Sequence, residues 1–170
     1  MKIICTVEVF NRILPSLNIP SKKSVRSSLT IGKSKDKDLF IIHQTNQNGS
    51  GKKYKINSAN LRTLDSRILR LRNLCSLNLE NNELMTLPEQ LGSSLPKLTE
   101  IYLGYNSLGL HRDWRWIVNA NLQNQLRLLD LRSNKISVLP DKLVKLLHLV
   151  TLNVENNRLQ RLPNGIGFMR

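Results

Sequence analysis

The sequence predicts an α/β solenoid, a short curved parallel sheet whose strands are joined by compact returns, preceded by an antiparallel β segment. Three observations carry this. The spelling Leu74, Leu77, Leu79, Asn82, Leu84, Leu87 recurs as Leu98, Ile101, Leu103, Asn106, Leu108, then as Leu126, Leu129, Leu131, Asn134, Ile136, and as Leu149, Leu152, Val154, Asn157, Leu159. The asparagines of these units lie 24, 28 and 23 residues apart. Ahead of residue 58 the coil period gives way to simple alternation of apolar and polar residues, the mark of half-buried strands.

Each unit has its own physical logic. Closely spaced apolar residues make a short strand whose side chains enter a core, and the asparagine turns the chain inward while its amide bonds the backbone of neighbouring coils. The spacing is the leucine-rich-repeat period. One such coil cannot bury its leucines alone, so stacking buries them against the next. Asn82, Asn106, Asn134 and Asn157 are therefore the expected structural asparagines, and Leu77, Leu79, Ile101, Leu103, Leu129, Leu131, Leu152 and Val154 the expected continuous core. Leu61, Leu64, Ile68 and Leu71 match the back half of a unit, with Ala59 in the asparagine position, and read as a degenerate opening repeat. The array then occupies residues 58–170, with four repeats after the opening one and the last incomplete. Leu87-Pro88, Leu139-Pro140 and Leu162-Pro163 are each followed by Leu91, Leu143 or Ile166, giving the form LPxxL/I of the cytoplasmic class of these repeats. The longer link from Leu108 to Leu126 carries Trp114, Trp116 and Ile117, which suits a short helix on the convex side with the tryptophans as buried anchors. The sequence stops mid-repeat at Arg170, which reads as a fragment, a short isoform or an incomplete gene model, and predicts an exposed apolar patch of Val154, Leu159, Leu162 and Ile166.

Residues 1–57 read as a four-stranded meander: Lys2 to Phe10, Val25 to Ile31, Leu39 to Ile42 and Lys53 to Ile56, with polar loops at Gly32 to Lys37 and Asn46 to Gly51. So few strands make a thin core, and the segment is expected to lean on the solenoid or on a partner.

Charge is unevenly placed. The net charge is +14, of which residues 1–72 hold 15 Lys/Arg against 4 Asp/Glu. Such a basic part suits an acidic partner such as nucleic acid, an acidic protein face or an anionic lipid; the bland alternative is a soluble basic surface, which the lack of an aromatic-rich strand motif or a basic helix favours over specific nucleic-acid binding. Cys5 and Cys75 predict no disulfide framework, and the N-terminus lacks the apolar run of a signal peptide, which together indicate an intracellular location. His43, His111 and His148 are scattered at no metal or nucleophile spacing. The stretch Gly49-Ser50-Gly51-Lys52-Lys53 lacks the first glycine and the closing Ser/Thr of a phosphate loop and reads as a hairpin turn. The reading is therefore a non-enzyme without metal or cofactor.

The concave face remains. Residues between the leucines point outward in rows: Ser76, Glu100, Leu128, Thr151; Asn78, Tyr102, Asp130, Asn153; Glu80, Gly104, Arg132, Glu155; and Asn81, Tyr105, Ser133, Asn156. From these, Asn78, Glu80, Glu100, Tyr102, Tyr105, Asp130, Arg132, Asn153 and Glu155 are the candidate protein-binding residues. Tyr and Arg are the types that dominate binding hot spots.

The opening Met1-Lys2-Ile3-Ile4-Cys5-Thr6-Val7-Glu8-Val9, with Arg12, Leu14-Pro15, Leu17, Val25-Arg26 and the hairpin from Leu39-Phe40-Ile41-Ile42 to Lys53-Tyr54, resembles the N-terminus of the leucine-rich repeat protein 1 family. That resemblance implies part of a pleckstrin-homology-type module ahead of LPxxL-type repeats. It further implies a nuclear protein, the substrate receptor of a cullin-RING ubiquitin ligase, whose partners are ligase components and the replicative helicase on chromatin. The chain departs from the family where it passes from Ile56 directly into repeats, and where it ends ahead of the region expected to dock the elongin adaptor and cullin. A nucleic-acid or anionic-surface adaptor, or a generic intracellular repeat adaptor, is the alternative reading.

Overall fold

The computed structural model describes residues 60–64 and 66–169, apart from the side chains of Arg67 and Phe168. In the N-terminal part it describes the backbones of β1 Lys2–Thr6, β2 Ser27–Lys33, β3 Leu39–His43, β4 Thr45–Asn46 and β5 Lys52–Asn57. Val7 to Phe10, Val25, the turn at residues 49–51 and Ala59 lie outside the described residues. The repeats supply β6 Leu74–Asn78, β7 Glu100–Tyr102, β8 Leu128–Asp130 and β9 Thr151–Asn153.

The chain is an α/β leucine-rich-repeat solenoid. β6 to β9 form a parallel sheet in strict register, Leu77 facing Ile101, Ile101 facing Leu129 and Leu129 facing Leu152. These residues point into the coil interior, where Leu74, Leu77, Leu79, Leu98, Ile101, Leu103, Leu126, Leu129 and Leu131 are all fully buried. Each such leucine contributes roughly 1.5–3 kcal/mol by leaving water. In the last coil Leu152, Val154, Leu159 and Ile166 are only partly buried against that core, and Leu162 is 52% exposed.

The N-terminal strands are not a simple meander. β3 lies between β1 and β2 and is antiparallel to both, but β2 then pairs in parallel with β5. A meander would pair each strand with its neighbour in sequence. Alternation reveals strands but not their order, and β5 is drawn into the parallel set because the coil that follows it has the length of a repeat. Tyr54 faces Leu77 on β6, so β5 stands as the strand of the opening coil. Leu64, Ile68 and Leu71 of that coil are buried in the common core.

Stacked coils are joined by the asparagines. Asn106 Nδ2 donates to Leu79 O at 2.9 Å in the preceding coil and to Leu103 O at 3.0 Å in its own, while its Oδ1 accepts from Leu84 N at 2.9 Å. Asn134 repeats this toward Leu103 O, Leu131 O and Leu108 N. Asn157 does so toward Leu131 O, Val154 O and Ile136 N. Asn82 accepts from Leu61 N and donates to Leu79 O, tying the opening coil to the next. A leucine here would leave buried carbonyls and amides unpaired, at about 1–3 kcal/mol each.

The convex returns are short 3-10 turns at Ser66–Arg70, Arg115–Val118, Asp141–Lys145 and Ile166–Phe168, with two brief helices, α1 Leu91–Ser94 and α2 Ala120–Gln125. The LPxxL/I motif makes one bond three times: Leu91 N donates to Pro88 O at 3.0 Å, Leu143 N to Pro140 O at 2.9 Å and Ile166 N to Pro163 O at 3.2 Å. Proline presets its φ for this turn, and the apolar residue closing it drops into the core. The long return differs in detail from the expected helix around the tryptophans. Trp116 and Ile117 sit fully buried on a 3-10 turn, and the α-helix begins only after Asn119, whose side chain caps it by accepting from Asn121 N at 2.9 Å. Gly109 opens this return where its neighbour passes so closely that a Cβ would lie 2.2 Å from the Lys135 carbonyl oxygen.

Candidate functional site

The concave rows are aligned by the sheet register. Asn78, Tyr102, Asp130 and Asn153 stand side by side, as do Ser76, Glu100, Leu128 and Thr151. Glu80, Arg132 and Glu155 follow two residues after the Asn/Asp positions of their strands.

Three of the four coils close their strands with the same local turn. The Asn78 side chain accepts from Glu80 N, that of Asp130 from Arg132 N, and that of Asn153 from Glu155 N, each at 3.0 Å. Asn and Asp are suited to this because their short side chains bond the backbone two residues on. The coil of β7 departs from the pattern. Tyr102 replaces the Asn/Asp and Gly104 replaces the charged residue. Tyr105 replaces the small polar residue found elsewhere as Asn81, Ser133 and Asn156. That last row has left-handed backbone throughout, with φ of 57° at Asn81, 57° at Tyr105, 54° at Ser133 and 52° at Asn156. Asn visits this region at low cost, whereas a tyrosine is strained by it.

The departure makes room for a charged lattice. Arg132 lies across bare Gly104 and reaches the Glu80 carboxylate two coils away, with Asp130 at 3.6 Å on its other side. A Cβ on Gly104 would come within 3.0 Å of Arg132 Cγ and Nε, so the bare glycine lets Arg132 lie in this lane without shifting. The guanidinium carbon also sits 5.5 Å from the centre of the Tyr105 ring, a cation–π contact. Desolvation opposes the charge on Arg132, but the Asp130 and Glu80 carboxylates outweigh it and raise its pKa above the usual guanidinium range. Glu80 and Asp130 are largely buried, at 8% and 7% exposure. Glu100 and Tyr102 are half-buried, while Tyr105 and Glu155 are exposed. Burial, and behind it the Glu100 carboxylate 3.5 Å from the phenol, raise the Tyr102 pKa. It is therefore a neutral donor at physiological pH.

The structure thus brings together all nine candidate residues on one face, as rows of the sheet or its turns around the lane at Gly104. Gly104 itself, absent from the candidates, had a readable signal: it occupies the row whose other members are Glu80, Arg132 and Glu155. Among the described residues no group of His, Cys, Asp and Glu is placed to hold a metal ion, and no helix is long and apolar enough to cross a membrane. The arrangement offers hydrogen bonds, charge and aromatic surface for binding.

Comparison with known proteins places this architecture. The profile of the pleckstrin homology domain of leucine-rich repeat protein 1 matches residues 1–71. Residues 1–71 thus match the N-terminal module of the leucine-rich repeat protein 1 family. Leucine-rich-repeat profiles match residues 54–108, 125–146 and 148–169, which covers the sheet described above and starts within β5. Bovine osteomodulin is 42% identical over 100 residues, 56% of this chain. The chain spans 22% of that protein's length. A solved leucine-rich-repeat protein of Leptospira interrogans is 21% identical, with 61% of this chain and 37% of that one covered at a TM-score of 0.34. A module of this family joined to such repeats is a protein-interaction scaffold.

Proposed function

We propose that this chain is a member of the leucine-rich repeat protein 1 family and the substrate-recognition part of a nuclear cullin-RING ubiquitin ligase, holding the chromatin-bound replicative helicase on the concave face of its repeats. The match of residues 1–71 to the family's pleckstrin homology domain supports the assignment, and the Tyr102, Gly104, Tyr105 departure supports the place. A coil with no other task would carry the Asn/Asp turn of its neighbours; this one gives that turn up for two aromatic side chains. In this reading residues 1–57 form the partial pleckstrin-homology-type module and residues 58–170 the recognition array. The chain binds and presents its substrate, and the ubiquitin transfer chemistry belongs to the other ligase subunits. Asn78, Glu80, Glu100, Asp130, Asn153 and Glu155 frame the aromatic centre.

The test is capture of purified replicative helicase by the immobilised chain. Tyr102→Ala with Tyr105→Ala removes two anchors of a hot-spot type, and loss of about 1.4 kcal/mol or more corresponds to at least a tenfold weaker capture. The melting temperature should stay close to that of the parent, because neither ring belongs to the leucine core. Undiminished capture by the double variant would rule out the concave face as the substrate surface.

A further inference from the structure

On the coils of β6 to β9 the sign of the concave rows is opposite to that of the chain. Across the whole sequence cations outnumber anions 26 to 12, yet the rows of this face carry Glu80, Glu100, Asp130 and Glu155 against Arg132 alone. Arg132 is itself informative. It is a guanidinium already seated on this surface, held by the Glu80 and Asp130 carboxylates and stacked over the Tyr105 ring. Its two partners are largely buried and engaged. Glu100 and Glu155 are the remaining carboxylates, with no ion-pair partner among the described residues, and the Tyr102 ring stands beside Glu100, whose carboxylate its phenol approaches to 3.5 Å. The face therefore shows, with one of its own side chains, how it takes a cation: carboxylate on the flank, aromatic ring below.

We infer that the partner segment docking on this face is basic and extended, its Lys or Arg side chains placed over Tyr102 and paired with Glu100 and Glu155. The inference rests on the concave face being the binding surface. Charge complementarity selects the partner: on the described rows an acidic segment or a phosphate backbone would meet Glu100 and Glu155, while the cation of those rows, Arg132, is already paired with Glu80 and Asp130. The dimensions agree. Four adjacent strands about 4.8 Å apart span roughly 15 Å, the length of four or five extended residues. Charge pairing at such an exposed face is screened by salt, with a Debye length of about 8 Å at physiological ionic strength.

The experiment uses the full chain and a fluorescent peptide of about twelve residues alternating Arg and Ser, with a Glu and Ser peptide as its control, read by anisotropy. The basic peptide should bind, and its affinity should fall several-fold between low and physiological salt. Glu100→Lys with Glu155→Lys should weaken it at least tenfold, and the milder Glu100→Gln with Glu155→Gln, which keeps the shapes, should weaken it by a smaller factor in the same direction. The basic-partner inference is overturned if the acidic peptide binds as well as the basic one, or if both double variants bind the basic peptide like the parent. Helicase capture separates the two levels. A chain with Glu100→Lys and Glu155→Lys that still captures helicase, when Tyr102→Ala with Tyr105→Ala does not, leaves the surface standing and removes the basic segment; capture by both removes the surface.

Discussion

Tyr105 is held in a backbone conformation that suits the residues at its equivalent positions and not itself. Asn81, Ser133 and Asn156 are short and polar, and two of them are of the type that enters left-handed space readily. A tyrosine there costs about 1 kcal/mol or more, offset in part by roughly 0.5–1 kcal/mol from the Arg132 guanidinium over its ring. Tyr105→Asn is therefore expected to leave the urea midpoint unchanged or to raise stability by up to about 1 kcal/mol, while it weakens partner capture. A loss of more than about 1 kcal/mol would mean that the ring is a structural element of the fold. The row itself was legible, because Asn and Ser recur at one offset from the repeat asparagine. The strain was not, since nothing in a tyrosine signals a positive φ until the coils are superimposed.

The long return between β7 and β8 carries the structure's clearest pH dependence. Asp113 accepts from the Arg115 side chain at 2.9 and 3.0 Å and from its backbone N–H at 3.2 Å. The side-chain bond first, and the backbone bond after it, lower its pKa to about 2. An unfolded aspartate titrates near 3.9, so the stability Asp113 contributes is complete above about pH 4 and is lost as the pH falls toward 2. Asp113→Asn should flatten the decline of melting temperature between about pH 4 and pH 2, and an unaltered slope would show that the Arg115 contacts do not persist in solution. From the sequence this return was readable as a place where apolar bulk is buried, because two tryptophans inside a polar link have few other uses. Its α-helix was misplaced toward those tryptophans, although Asn119 ahead of Ala120 is a good capping signal.

For the whole molecule, the prediction is a gradient. Leu103 is enclosed by coils on both sides, whereas Leu159 is partly exposed in the last described coil. Leu103→Ala should cost roughly 2–5 kcal/mol and Leu159→Ala distinctly less, as read from denaturant midpoints. Equal costs would contradict the nearest-neighbour origin of the stability. The four repeat strands and their asparagines were legible because the period is written in leucine and asparagine, one instance correcting the next. The N-terminal strands had no such redundancy, and alternation could not tell that β2 would lie parallel to β5. The asparagines add a direction to the array: Asn106, Asn134 and Asn157 each bond the coil before them, so every coil arrives carrying the amide that its predecessor lacks. In evolutionary terms the array is a grammar that extends by copying its last word. A duplicated coil brings its own joint, needs no matching change in the older sequence, and leaves the concave residues free to vary from copy to copy, which is how one coil could come to write two tyrosines and a glycine where the others write a turn.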